Sequence, residues 1–491
     1  MSATIASLAE FAPLPSGEAQ YSVEFMKSHG ALKLAEGPGE VLVGAVPGHP
    51  ENLLSRLERY HGKPVRLLQI EGSEFAAFLG RALSGEEGPG RAASEEDERI
   101  LLDRLAHDAP VVNLVNSVLI DAVRLGASDI HIEALSERVR VRYRLDGVLK
   151  TQATYEASRF AAIASRIKIM ANLNIMERRR PQDGRVTVSV GGQDVDMRVS
   201  IVPIARGESI VLRIFGASEA SLGLDQLGFD AAQVALARSL YRVPHGLLLA
   251  TGPTGSGKTT TLGAMLREIS TDEIKVVSIE DPVEHLVEGV AQIQTNEQIH
   301  LGFDVILRRV LRQDPNVIMV GEMRDAQTAE LAVRAALTGH LVLSTLHTND
   351  SVSAVTRLKN MGVEPYLVAS TLRGVLAQRL VRRLCPDCAT ERTPRPAEAA
   401  FLARHGIEAA TLRESRGCPR CGGTGYRGRV AIAEIFAMDE ELEGLILAGA
   451  GAGKLRSFLE GRGFASLLVD GLRKAAAGLT SLAEVEREAG L

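Results

Sequence analysis

Residues 247–260 constrain this chain more than any other stretch. Leu247-Leu-Leu-Ala250 is a short apolar run of the kind that forms a fully buried strand. It leads directly into Thr251-Gly-Pro-Thr-Gly-Ser-Gly-Lys-Thr-Thr260, where Gly252, Gly255, Gly257, Lys258 and Thr259 satisfy G-x-x-x-x-G-K-[ST] in full. A helix is expected over 260–269. Glycines let the backbone curl until its N–H groups converge on phosphate oxygens, and the helix N-terminus adds partial positive charge. Gly252, Pro253, Thr254, Gly255, Ser256, Gly257, Lys258, Thr259 and Thr260 are therefore the expected nucleotide-binding residues. Lys258 is expected to reach the β- and γ-phosphates, and the Thr259 hydroxyl to ligate Mg²⁺. A second glycine-rich run, Gly449-Ala-Gly-Ala-Gly-Lys454, has Ala448 and Leu455 where the motif needs glycine and a hydroxyl, and reads as a helix junction.

Hydrolysis of a nucleotide needs acids that position water and metal. Val317-Ile-Met-Val320 predicts a buried strand ending at Gly321-Glu322, which makes Glu322 the candidate for polarising water, with a salt bridge to Arg324 as the bland alternative. Another strand, Lys275–Ile279, runs into Glu280-Asp-Pro-Val-Glu284. Its proline is expected to stop the strand and turn the carboxylates outward, so that Glu280, Asp281 and Glu284 organise water or metal. His340 and His347 bracket an apolar strand expected beside the first two. They either sense the γ-phosphate or are structural. Arg198 and Arg213, taken alone, are ordinary strand arginines. A basic stretch from Arg166 and Lys168 through Arg178-Arg-Arg180 to Arg185 suits phosphate, an acidic protein or anionic lipid, or is simply a solvated face.

Four cysteines in 491 residues are too few for a disulfide scaffold. They fall as Cys385-Pro-Asp-Cys388 and Cys418-Pro-Arg-Cys421, and two such knuckles close a tetrahedral structural Zn²⁺ site. The segment between them is long enough for its own helix at 396–406. Independent redox couples are the weaker reading.

The length suggests roughly three domains. A small α/β module is expected over 1–83, with a strand at 41–46 and a helix at 50–59. A Gly-, Ser- and Glu-rich linker follows over 84–97. An α+β domain is expected over 98–218, with helices at 99–105 and 111–125 and strands at 129–133, 139–144, 185–190 and 195–201. From 219 to 491, apolar strands alternate with helices, the mark of a parallel α/β sheet, interrupted by a cysteine lobe at about 380–430 and ending in a helical tail. The net charge of −5 and 4% aromatics argue against a nucleic-acid binder. No secretory leader and no spanning run is visible, which suggests a cytoplasmic protein.

Together these motifs resemble the ATPases of type II secretion and type IV pilus assembly. The resemblance rests on Ala127-Ser-Asp-Ile-His-Ile-Glu133, Arg142-Tyr-Arg-Leu-Asp-Gly147, Arg178–Arg185, Arg198-Val-Ser200 and the glycine loop. Glu280–Glu284, Leu311–Pro315, Gly321–Asp325, Thr338–Asn349, the cysteines and residues 478–487 complete it. It implies a RecA-like core and a homohexamer with Mg²⁺-ATP between an N-terminal half and that core. It implies Glu322 as the Walker B acid, Glu280–Glu284 as the Asp box, His340 and His347 as the His box, Arg198 and Arg213 as arginine fingers, and zinc on the cysteines. The implied activity is ATP hydrolysis driving pseudopilus assembly and protein export across an outer membrane. Residues 1–83 would dock on the cytoplasmic domain of an inner-membrane platform protein and so hold the motor on the cytoplasmic face. A pilus-extension motor is the alternative; its relatives carry more chain before the core. A nucleic-acid translocase is the remote one. Two positions depart from the family pattern: Asn316 where aspartate is common before the Walker B strand, and His300-Leu-Gly-Phe303 in place of Gly-Leu-Thr-Phe. If residue 316 helps to hold metal, the amide weakens that hold; the second change is expected to matter little.

Overall fold

The computed structural model describes residues 5–11, 14–15, 20–50, 52–84, 95–205, 207–215 and 222–489. Contacts divide the chain into two compact units, residues 1–101 and 102–491. Most of the expected linker lies outside the described residues, but its last three residues begin the helix Glu95–His107.

The first unit holds β1 (Ile5–Ala6), β2 (Ala31–Glu36), β3 (Val41–Ala45) and β4 (Val65–Ile70), in the order β1-β4-β3-β2. β2 and β3 are antiparallel; β4 runs parallel to both β3 and β1. Helices Val23–His29, Leu53–His61 and Gly72–Ser84 accompany them. Leu53 and Leu57, four residues apart on one helix face, join Leu32, Leu34, Val41 and Val43 in the core. The Glu74 carboxylate accepts hydrogen bonds from Leu8 N at 2.7 Å and Ser7 Oγ at 2.8 Å, tying the first residues to the third helix.

The second unit opens with a six-stranded antiparallel sheet. Its strands are β5 (Asp129–Ala134), β6 (Arg138–Leu145), β7 (Val148–Glu156), β8 (Gln182–Val190), β9 (Gln193–Ile204) and β10 (Gly207–Ile214), in the order β7-β6-β5-β10-β9-β8. Helices Ala109–Arg124 and Phe160–Met170 cover one face. Along β6, Val139, Val141 and Tyr143 are buried while the arginines between them face out. The edge strand β7 was not anticipated, because its residues are part-exposed on both faces and it carries little apolar alternation. Lys168 does not belong to a basic face. It is 1% exposed, paired with Glu208 at 2.7 Å, and donates to Glu177 O.

The larger sheet contains β11 (Gly246–Thr251), β12 (Val276–Glu280), β13 (Val290–Gln294), β14 (Val317–Val320), β15 (Leu341–Leu346) and β16 (Leu372–Leu384). The pair β17 (Thr390–Arg392) and β18 (Leu412–Glu414) belongs to the cysteine lobe, and β19 (Tyr426–Ala437) closes the larger sheet. Its order is β13-β12-β14-β15-β11-β16-β19, parallel throughout except for the β16–β19 pair. Every residue of β11, β12, β14 and β15 is buried, as expected where helices cover both faces. The cysteine lobe is narrower than expected. Residues 380–384 and 426–430 still belong to β16 and β19, so the lobe is an insertion at the tip of that hairpin.

The lobe shares a core with the C-terminal helices: Leu402, Ile407 and Leu412 meet Leu472, Leu482 and Val485. The helix Leu482–Ala489 is anchored by Glu484, 2% exposed, which accepts from Arg382 Nε at 2.9 Å and Arg487 Nη2 at 2.8 Å. Burial alone would push this carboxyl up; the two arginines outweigh burial and hold it at about 2. A depressed folded value stabilises the fold above the ordinary 4.5, and that stability is lost as pH falls toward 2. Glu484→Gln should lower the thermal midpoint at pH 7, by the equivalent of about 3 kcal/mol for a broken buried pair. The gap from wild type should close as pH falls through that window, which thermal unfolding at a series of pH values would read.

Candidate functional site

Parallel strands deliver their C-terminal ends to one sheet edge. Thr251, Glu280, Val320 and Leu346 end β11, β12, β14 and β15 there. The loop after Thr251 curls through three left-handed glycines, Gly252 at φ 148°, Gly255 at 80° and Gly257 at 86°. A Cβ at Gly252 would sit 2.4 Å from Gln378 O and 2.7 Å from Ser256 Oγ, so the close turn excludes any side chain there. Gly257 caps the helix Lys258–Ile269. Lys258 is 8% exposed, and its Nζ donates to Gly252 O at 2.8 Å and Pro253 O at 3.0 Å, inside the curl. Burial lowers its pKa, opposed by the charge of Glu322. The Ser256 hydroxyl is buried without a partner among the described residues. A curled loop with a buried ammonium, an orphan hydroxyl and a helix start fits a polyphosphate.

Glu322 follows β14 as expected. Hydroxyls on β15 hold that turn, with Ser344 Oγ donating to Val320 O and Thr345 Oγ1 to Gly321 O, both at 2.7 Å. The Glu322 carboxylate receives His347 Nε2 at 3.1 Å and pairs with Arg324 through the other oxygen. Burial alone would raise its pKa, but the bonds from Arg324 and His347 outweigh it, so the group stays below the ordinary glutamate value. The salt bridge to Arg324 is present, and the carboxylate it holds is ionised as a water-polarising group requires. Thr251 Oγ1 and Thr348 Oγ1 lie 2.6 Å apart, and Thr348 N donates to Thr251 Oγ1 at 2.9 Å. These bonds lace the start of the glycine loop to the residue after His347.

The structure separates residues that the sequence grouped. His347 stands beside Glu322. His340 precedes β15 at the opposite sheet edge, where its Nδ1 lies 3.0 Å from Ala335 O. Seven strand steps of about 3.3 Å put roughly 23 Å between the two histidines, so they do not meet the same phosphate within one chain. Glu280 does not turn outward. It is 6% exposed, accepts from Ser278 Oγ at 2.5 Å and Gln292 Nε2 at 2.9 Å, and lines a small cavity with Thr259. Asp281 is exposed and pairs with Arg324 at 3.8 Å; Glu284 is half-buried beyond the cis Asp281–Pro282 bond. Thr259 with Glu280 is the donor set in this site that suits a hard divalent cation.

Both family departures acquire a location. Asn316 lies at the far end of β14, about 16 Å of strand from Gly321, where its Oδ1 accepts from Lys275 N at 2.8 Å. It is a strand-end brace, not a neighbour of the metal donors. His300 adopts the left-handed conformation, φ 56°. That conformation costs a non-glycine residue about 1 kcal/mol.

On the open face of the antiparallel sheet, cross-strand register lines up Arg144, Asp129, Arg213, Arg198 and Arg185 in one row. Arg213 and Arg198 are directly opposite each other. Arg213 Nε reaches buried Asp129 at 3.1 Å, and Arg198 reaches Asp183 at 3.6 Å. At the end of the row, Arg185 Nη2 donates to Gln294 Oε1 at 3.4 Å. Gln294 Oε1 also accepts from Val283 N, inside the acidic turn. The row was not legible in the sequence, because register depends on which strands pair.

The four cysteine sulfurs lie within 4.8 Å of one another. Cys385–Cys418 and Cys388–Cys421 are each 3.9 Å apart and Cys418–Cys421 3.7 Å. A tetrahedral ion with metal–sulfur bonds of about 2.3 Å sets its ligands about 3.8 Å apart, which matches, whereas a disulfide needs about 2.05 Å. Burial pushes the Cys388 thiol up to about 12. At Cys421 burial acts the same way, but the amides of Cys418 and Gly425, each 3.1 Å from Sγ, outweigh it and hold the thiol at about 6. The lobe and the strand after it also touch the antiparallel sheet: Gly428 N of β19 donates to Asp146 at 3.1 Å, and Lys150 donates to Gly422 O in the lobe at 3.2 Å.

Residues 104–487 match the family model for the type II/IV secretion system protein. The chain is 45% identical over 437 residues to the type II secretion system ATPase E of Vibrio cholerae, covering 86% of this chain and 87% of that one. It is 46% identical over 401 residues to the type IV pilus assembly ATPase PilB of Myxococcus xanthus, covering 80% and 70%. Among solved structures, the pilus retraction motor PilT with bound ADP matches at 25% identity and a TM-score of 0.53, covering 76% of this chain and 96% of that one.

Because Asn316 braces a strand end, Asn316→Asp keeps an acceptor for Lys275 N. Its ATP turnover should stay within about twofold of wild type, the usual range for an exposed substitution. A tenfold change in a steady-state phosphate-release assay would return residue 316 to the metal site.

Proposed function

The chain belongs to the type II/IV secretion system protein family, and from that premise we propose that it is the ATPase of a type II secretion system. It hydrolyses ATP to power pseudopilus assembly and protein export. The observation that carries this reading is the convergence of Lys258, Glu280, Glu322 and His347 on one sheet edge. Extension of a type IV pilus is the second reading, favoured by the Myxococcus relative. This chain covers less of that relative than of the Vibrio secretion ATPase.

Loop N–H groups and Lys258 take the phosphate oxygens, and Lys258 exchanges the carbonyls of Gly252 and Pro253 for them. Thr259 and Glu280 would hold Mg²⁺, which would offset the charge of the phosphates. Glu322 orients the attacking water as a carboxylate, and His347 fixes its rotamer through the 3.1 Å bond. Asp281 and Glu284 support the turn that carries Glu280. Arg198 and Arg213 turn from Asp183 and Asp129 to the charge that develops on the transferred phosphoryl group. His340 braces the start of β15 at the opposite sheet edge.

The motor is a homohexamer. Residues 1–83 dock on the cytoplasmic domain of an inner-membrane platform protein. Attachment goes through that partner; no helix among the described residues is long and apolar enough to cross a membrane. Exposed Arg179 and Arg180 are available to anionic lipid. Zinc on Cys385, Cys388, Cys418 and Cys421 is structural, because four thiolates leave no open coordination position.

Lys258→Ala should lose at least about 100-fold in turnover, as for removal of a preorganised donor. Arg213→Ala should depress hydrolysis while nucleotide affinity, read by fluorescent-ADP titration, holds. Normal turnover in the first variant would end the phosphate-loop assignment, and normal turnover in the second the finger assignment. Elemental analysis of purified protein should find about one zinc per chain. Chelation should release it and lower the melting temperature, whereas metal-free protein with four titratable thiols would reject the ion.

A further inference from the structure

One buried polar side chain beside the glycine loop has no role in the mechanism above. Gln378 sits in the middle of β16, among Val375, Leu376, Ala377 and Val381, and is 1% exposed. Parallel register pairs Ala377 with Thr251, so Gln378 comes level with Gly252, where β11 has ended and the loop begins. Beyond this point β16 has only β19 as a strand partner, and the side toward β11 faces the loop.

Gln378 forms the wall of the loop in two ways. Its backbone oxygen is the atom that a Cβ at Gly252 would strike at 2.4 Å, and its Nε2 is the atom that a Cβ at Gly257 would meet at 3.0 Å. Its Nε2 also donates to Ser256 O at 2.7 Å, a fully buried bond. The opposite amide orientation would set two carbonyl oxygens against each other, so this bond fixes the flip.

We propose that Gln378 is a positioning residue for nucleotide binding, acting by orienting the Ser256–Gly257 peptide. In a trans peptide the C=O and the following N–H point in opposite directions. Holding the Ser256 carbonyl against β16 therefore turns the Gly257 N–H away from the sheet and into the cradle. Gly257 is the helix cap, so this N–H is one of the orphan donors that a phosphate satisfies. Lys258 performs the matching task for the carbonyls of Gly252 and Pro253 but is drawn off when phosphate arrives; Gln378 stays. The Gln378 Oε1 and Ser256 Oγ atoms are both buried without partners among the described residues. Two orphans at this point mark a polar wall built for a ligand group, since native interiors rarely leave such atoms unpaired.

The inference rests on residues 252–259 being the phosphate-binding loop, and the test separates the two. Gln378→Met keeps length and burial but cannot donate. Gln378→Glu keeps shape and cannot donate while ionised. In nucleotide-free protein, hydrogen exchange at residues 252–260 should accelerate in Gln378→Met. Its affinity for a fluorescent ADP should fall about tenfold, the scale of one buried hydrogen bond left unmade. For Gln378→Glu, the affinity should recover toward that of wild type as pH falls from 8 to 6, because protonation restores a donor. A merely structural glutamine would move the melting temperature without that pH-dependent recovery. Affinity within twofold of wild type in both variants, or a Gln378→Glu affinity relative to wild type that is constant with pH, overturns the assignment. Lys258→Ala measured alongside distinguishes the failures. If it too binds ADP normally, the loop reading falls; if it alone is impaired, only the role of Gln378 falls.

Discussion

Hydrogen bonds from β11 to β15 on one side and β16 on the other set the height of every group around the glycine loop. Register puts Thr251 opposite Leu346 and Ala377. One residue further on, β11 and β15 leave the sheet as Gly252 and His347, while β16 continues through Gln378 with only β19 beside it. A slip of one residue would send the side chains that flank this point to the opposite face. The register is held by strands buried on both faces, where slippage would expose apolar side chains or bury polar ones. Burial of the sheet is thus what makes an exposed loop reproducible.

Several charged groups of the candidate site are held by opposing partners. Glu322 remains a carboxylate in a partly buried position because Arg324 and His347 share it. Arg213 and Arg198 face each other across adjacent strands, an arrangement that repels. Asp129 and Asp183 offset that repulsion, yet both arginines stay about half exposed, so an anion of higher charge can compete for them. Arg185 links the end of this row to the acidic turn, giving the antiparallel sheet a polar route to the β12–β13 edge.

The strand that walls the glycine loop also enters the cysteine lobe. β16 carries Gln378 at its middle, Arg382 near its end and Cys385 immediately after it. Arg382 binds Glu484 of the last helix, and the lobe shares a core with the same helices. A four-cysteine knuckle, a buried ion pair and a small apolar core therefore fasten the half of β16 that has no neighbour on the β11 side. The lobe is remote in sequence from the loop but shares a strand with it.

Local chemistry determined much of this protein before any folding was considered. The glycine loop, the strand and helix around it, the acid after Val320 and the paired cysteines are each set by adjacent residues. The conformations they need are available to few other sequences, so they were legible from the chain alone, as was the parallel α/β class from the run of apolar strands. Tertiary structure decided what depends on pairing and depth. It parted His340 from His347, turned Glu280 inward, moved Asn316 away from the site, and buried Lys168 against Glu208. It aligned five charged residues into one row and set Gln378 under the loop. A polar residue inside Val375–Val381 was the one signal of that last role. Its meaning appeared only when β16 docked beside β11, because a hydrogen bond between residues 122 positions apart has no local trace.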